Sequence, residues 1–139
     1  MTRKQAREEA FILIFEKCFN DDTCESILEL AEQVREVKPD DYVREVFCGV
    51  YSHLDVTDGL ISEFSNGWSI KRISKTSLSI MRLAIYEIKF MESIPVSVSI
   101  NEAVELCKKY ATESDASFVN GILSSVVKAD DRSSQRLSA

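Results

Sequence analysis

The chain has 139 residues, with 23 acidic against 17 basic side chains and a net charge of −6 at neutral pH. This excludes a generic nucleic-acid-binding surface and confines any RNA contact to a local patch. Apolar residues make up 45% and charged residues 29%, with four glycines and two prolines, a balance expected of one soluble, helix-rich domain with a real core. No apolar run approaches the roughly 20 residues of a membrane span.

The first helix is expected over residues 3–19. Ala6, Ala10, Leu13 and Ile14 form one buried face, and Phe11, Phe15 and Phe19 form a second apolar stripe. Its start carries Arg3, Lys4 and Arg7 with no acid among the first seven residues. Cations there oppose the helix dipole, so another role is expected of them. Glu8 and Glu9 interrupt the apolar stretch that follows, so no secretory signal is expected. A second helix is expected from Asp22, capped with Glu25, burying Ile27, Leu28, Ala31 and Val34.

Pro39 at a first helical position, followed by Asp40 and Asp41, marks a third start. Its stripe is Val43, Val46, Phe47, Val50 and Leu54. A fourth helix begins near Asp55 and ends at Asn66–Gly67, a pair suited to the left-handed conformation. Trp68 and Ile70 lead into a short helix. A long apolar one follows with Leu78, Met81, Ala84, Ile85 and Ile88, stopped before Pro95.

In the stretch INEAVELCKKYATESDASFVNGIL, residues 100–123, Ser99 and Glu102 can form a capping box over a stripe of Ile100, Ala103, Val104 and Cys107. Tyr110 lies just beyond that stripe. Ser114 or Asp115 can cap a last helix buried through Val119, Ile122, Leu123 and Val126, with Phe118 in its first turn. Two aromatics beside a polar turn, next to Lys108 and Lys109, suit stacking on bases and holding phosphates. Residues 129–139 are polar and expected to be disordered. The expectation is an all-α, single-domain bundle of about seven helices over residues 1–128.

Cys18, Cys24, Cys48 and Cys107 show no CxxC spacing, and the single His53 cannot complete a zinc set. They read as reduced thiols in a cytoplasmic protein. His53 has no evident nucleophile partner, and no Gly-rich phosphate loop, HExxH or GxSxG occurs. Glu87 and Glu102 are expected to cap or pair. No catalytic, metal or cofactor site is expected, and the chain does not read as an enzyme.

Residues 100–123 closely resemble the C-terminal signature of the NusB family of transcription antitermination factors, roughly INEAxELAKxFGxEDSxxFVNGxL. RKQARE near the start, YVREVFCGVYSHLDVTDGLISEF, Trp68, IMRLAIYEI and IPVSVSINEA resemble the family's other segments in the same order. The resemblance covers residues 2–128. It implies a fold of helices that binds boxA, a short single-stranded RNA element of nascent rRNA transcripts. It also implies pairing with the ribosomal small-subunit protein called NusE, within the transcription elongation complex.

Arg3, Lys4 and Arg7 fall on the family's basic positions, and Gln5 replaces what is often another arginine. Tyr110 and Phe118 match aromatics that stack on or flank RNA, and Ser114 stands where aspartate is common. Asn120 and Gly121 are expected to be structural, the glycine allowing close helix packing. Phe15 matches an aromatic that meets the partner protein. Ser77 and Leu78 replace an acidic–basic pair on that partner side, and Arg82 is expected in a structural salt bridge. Two other readings stay open: a protein-binding helical module, and a stand-alone relative of the RNA-binding domain of rRNA cytosine methyltransferases.

Overall fold

Short polar side chains start most of the helices by reaching N–H groups that have no partner inside the helix. The computed structural model describes the backbone of residues 1–35 and 40–138, and the side chains of 1–34 and 40–130. Helix α1 spans Arg3–Lys17 and opens on a capping box, in which the Gln5 N–H donates to Thr2 Oγ1 and the Thr2 N–H to Gln5 Oε1. Gln5 thus gains a structural task where the family often has an arginine. Helix α2 spans Cys24–Arg35 and is capped by Thr23, one residue later than expected, through the Ser26 N–H at 3.1 Å. Helix α3 spans Asp41–Ser52 and is capped by Asp40, while Pro39 lies outside the described residues.

Helix α4, Leu54–Phe64, is closed by Asn66 and Gly67 at φ of 51° and 89°, the left-handed pair the sequence predicts. A single 3₁₀ turn, Ile70–Arg72, leads to α5, Lys75–Phe90, whose N-cap is Ser74. Helix α6 is Val96–Tyr110 and α7 is Glu113–Ser138. Among the described residues there are seven α-helices and no strand, the all-α bundle expected.

Helix α5 is the axis of the molecule. It packs against α1, α3, α4, α6 and α7, and Ser77 through Glu87 are all buried. A helix apolar all round belongs in the interior, so the long hydrophobic run predicts its own place. The core joins Ile14, Phe47, Ile61, Met81, Ile85, Cys107 and Leu123 from six helices. Gly49 lets α3 and α5 approach: a Cβ there would stand 2.4 Å from the Tyr86 ring. Gly121, expected to serve that purpose, is exposed and faces open space.

Three further expectations are corrected. Ser99 does not cap α6, which begins three residues earlier behind Pro95; Ser99 lies inside the helix and is buried. Thr112, not Ser114 or Asp115, caps α7, accepting from the Asp115 N–H while Asp115 accepts from the Thr112 N–H. Val34 is 73% exposed, on the outer side of α2. Helix α7 runs on past Lys128, and Lys89 of α5 pairs with Asp130.

Candidate nucleic-acid interface

The basic N-terminal turn of α1 and the C-terminal turn of α6 meet along one edge. Lys109 Nζ lies 2.6 Å from Glu8 Oε1, and the Tyr110 hydroxyl donates to the same oxygen. The Tyr110 ring packs on Phe11 with centroids 5.0 Å apart and stays 39% exposed. Lys4, Arg7 and Lys109 line a cleft of about 140 Å³ between the two helices, together with Glu8, Glu102 and Glu105. Glu8 holds its carboxyl below the usual range through the hydrogen bonds from Lys109 and then Tyr110. Reciprocally, the Lys109 ammonium and the Tyr110 hydroxyl are held above theirs, in each case chiefly by the hydrogen bond to Glu8.

Arg3 is exposed and lies over the Tyr42 ring of α3, 4.5 Å from its centroid, a cation–π contact that steadies a solvent-facing charge. Arg7 is different. It is 4% exposed, with Nε 2.8 Å from Glu87 Oε2 and a second carboxylate, Glu102, 3.9 Å from Nη1. Burial alone would lower its pKa, but the hydrogen bond and charge of Glu87 outweigh that and raise it. The expectation of Arg7 as a surface phosphate ligand is therefore corrected: its guanidinium balances a buried carboxylate.

That carboxylate joins four helices. Glu87 on α5 is fully buried and accepts from Arg7 of α1, from the Tyr42 hydroxyl of α3 and from Ser99 Oγ of α6 at 2.8 Å. Burial, then the charge of Glu87, raises the Tyr42 pKa. The arrangement has the satisfied geometry that lets a charge sit inside a protein. It also sets Tyr42 beneath Arg3, so an interior network holds a surface cation in place.

The remaining expected residues lie apart from this edge. Lys108 faces the neighbouring α6–α7 cleft, 3.4 Å from Glu105 Oε1. Ser114 and half-buried Phe118 line a separate pocket of about 290 Å³, with Trp68, Arg72, Ser77 and Asp115. Tyr110, held by Glu8 and Phe11 of α1, and Phe118, in this pocket, thus stand apart around the α6–α7 turn. Trp68, 54% exposed, and Arg72 line that pocket too, although the sequence marks neither as a site residue. For Trp68 the exposure has a sequence signal, since a lone tryptophan between Gly67 and Ser69 has no apolar stripe to join.

Phe15 is half-buried between Phe11 and Phe19, with centroids 6.3 and 5.1 Å away, and Phe19 is 65% exposed. Ser77 and Leu78 are each 1% exposed. As a partner surface they are corrected to core, where truncating a leucine costs about 2–5 kcal/mol. Arg82 makes the expected salt bridge, with Nε and Nη2 each 2.9 Å from the two carboxylate oxygens of Asp58.

The model of the NusB family matches residues 4–128. The transcription antitermination protein NusB of Natranaerobius thermophilus is 44% identical over 131 residues, covering 91% of this chain and 94% of its own. That of Ruminiclostridium cellulolyticum is 42% identical, covering 94% and 91%. Among solved structures, T. maritima NusB is 32% identical with a TM-score of 0.77, covering 92% of each chain. A chain from the antitermination factors NusB and NusE in complex with double-stranded RNA is 27% identical, with a TM-score of 0.80, covering 91% of this chain and 96% of that one. Matching residues run from the basic turn of α1 into α7, so the chain belongs to the NusB family.

Proposed function

We propose that this protein is a transcription antitermination factor that binds boxA-like single-stranded RNA of nascent rRNA transcripts together with the NusE-type ribosomal small-subunit protein. It does so in the cytoplasm, as part of the transcription elongation complex, and it does no chemistry. The observation that carries the reading is the edge at which Lys4 of α1 shares a cleft with Lys109 of α6, beside exposed Tyr110, while Arg3 stands next to Lys4 over the Tyr42 ring. An acidic chain that gathers cations and an aromatic at one edge has the features of a local RNA contact.

Further support comes from the relatives, which are antitermination proteins, and, for RNA and a NusE partner in general, from the solved complex of NusB and NusE with double-stranded RNA. No helix among the described residues is long and apolar enough to cross a membrane. His53 lends its Nδ1 to the Gly49 carbonyl and its ring to Phe90, a packing role.

The test is a titration of labelled single-stranded boxA-like RNA, with a scrambled strand and a duplex as comparisons, with and without the ribosomal protein. Preferential binding of the boxA-like strand, tightened by the partner, is expected. Equal binding of all three RNAs, or none, would overturn the proposal and favour the protein-binding module.

A further inference from the structure

We propose that Glu8 is a built-in competitor for RNA phosphate: its carboxylate engages Lys109 and Tyr110 together and must be displaced before both can engage a strand. The inference rests on the functional reading above and gives that site a regulating residue. One oxygen, Glu8 Oε1, takes both the Lys109 ammonium at 2.6 Å and the Tyr110 hydroxyl. A phosphate oxygen is the same kind of acceptor, an anion suited to the same two donors.

The pair is also placed to exchange. The Lys109 side chain is 60% exposed and that of Glu8 27%, so water and ions reach both, and such pairs hold weakly. The Tyr110 ring stays against Phe11 in the meantime, so release of Glu8 exposes a donor on an already placed aromatic. With its carboxyl held below the usual range, first by Lys109 and then by Tyr110, Glu8 stays charged at neutral pH. Its displacement is therefore a matter of ligand and salt rather than of protonation.

The experiment is fluorescence anisotropy with labelled boxA-like RNA at low and high salt. The proteins are the wild type, Glu8→Gln, Lys109→Ala, the double variant, and Glu16→Gln as a charge control on an exposed position of the same helix. Glu8→Gln is expected to bind RNA about two- to five-fold tighter at low salt, the range of a lost surface ion pair. The gain is expected to shrink at high salt, where exposed charges are screened. It is also expected to shrink in the Lys109→Ala background, and Glu16→Gln should match the wild type. If the wild type binds while Glu8→Gln binds equally or more weakly, the inference is overturned and the functional reading stands. A gain that persists in full without Lys109, or that Glu16→Gln reproduces, overturns it too, because net charge would then explain it. Failure of the wild type to bind any RNA overturns both.

Discussion

Arg3 and Arg7 are one helical turn apart, yet one lies over an aromatic face in solvent and the other is sealed against Glu87. Substitution should separate them. Replacing Arg3 and Lys4 by Ala together is expected to leave the melting temperature near that of the wild type and to weaken RNA binding. The log–log salt slope should flatten by about 0.7 for each phosphate no longer neutralised. Arg7→Ala is expected to destabilise the fold instead, since it strands a buried carboxylate. Binding titrations over a salt series, with thermal melts of both variants, check the pair of outcomes; an unchanged slope would remove Arg3 and Lys4 from the interface.

At the scale of elements, α5 is held by a charge as well as by apolar packing. Glu87 ties it to α1, α3 and α6 through Arg7, Tyr42 and Ser99. Glu87→Gln leaves the buried guanidinium only the more distant Glu102, at 3.9 Å, as a counter-charge, and a loss of about 3–5 kcal/mol is expected in urea unfolding. A loss under about 1 kcal/mol, the scale of a solvent-exposed pair, would mean that water reaches Arg7. The helices also take thiols out of water, Cys107 fully and Cys48 in part. Burial pushes Cys48 and Cys107 up to about 12, against an ordinary value of 9.0.

The sign of the pH effect follows from those values. Above pH 9 the unfolded chain gains thiolates that the folded chain does not, so the unfolded state is favoured. This contribution to stability is whole below about 9 and is lost as pH climbs toward 12. Melting temperatures measured between those limits should fall, and fall less steeply when Cys48 and Cys107 are both alanine. An equally steep fall in that variant would assign the effect to other groups.

On the scale of the whole molecule, α1 serves two sides. Its inner face joins the core through Ala6, Ala10 and Ile14, while Phe15 and Phe19 continue an aromatic row into solvent. With Ser77 and Leu78 inside the core, Phe15 remains the sequence-predicted position for the ribosomal partner. Phe15→Ala is expected to reduce affinity for the NusE-type protein more than it reduces RNA binding by the isolated chain. Calorimetry against the partner decides, and wild-type affinity with intact folding would place the partner elsewhere. If RNA spans both proteins, each must tighten the other's binding by the same factor. A chain of charge −6 also suits a basic partner, since complementary charge speeds encounter.

The sequence by itself determined the helices, their approximate ends and the family. Apolar spacing and the Asn66–Gly67 stop are local, and a helix repeats every 3.6 residues whatever it packs against. The basic turn, Tyr110 and Phe118 were legible in the same way, as residue types beside an identifiable turn. Only the tertiary structure decided which of those groups are buried and which stay exposed. Arg7 and Glu87 are 80 positions apart, and Tyr42 and Ser99 reach the same carboxylate from two further helices. Ser99 could satisfy a cap or a buried acid equally well, and only the packing of α6 on α5 chose. Glu8 likewise reads as a surface acid until α6 brings Lys109 and Tyr110 to it from 101 and 102 positions away. Burial and ion pairing depend on distances between elements, which local periodicity does not carry.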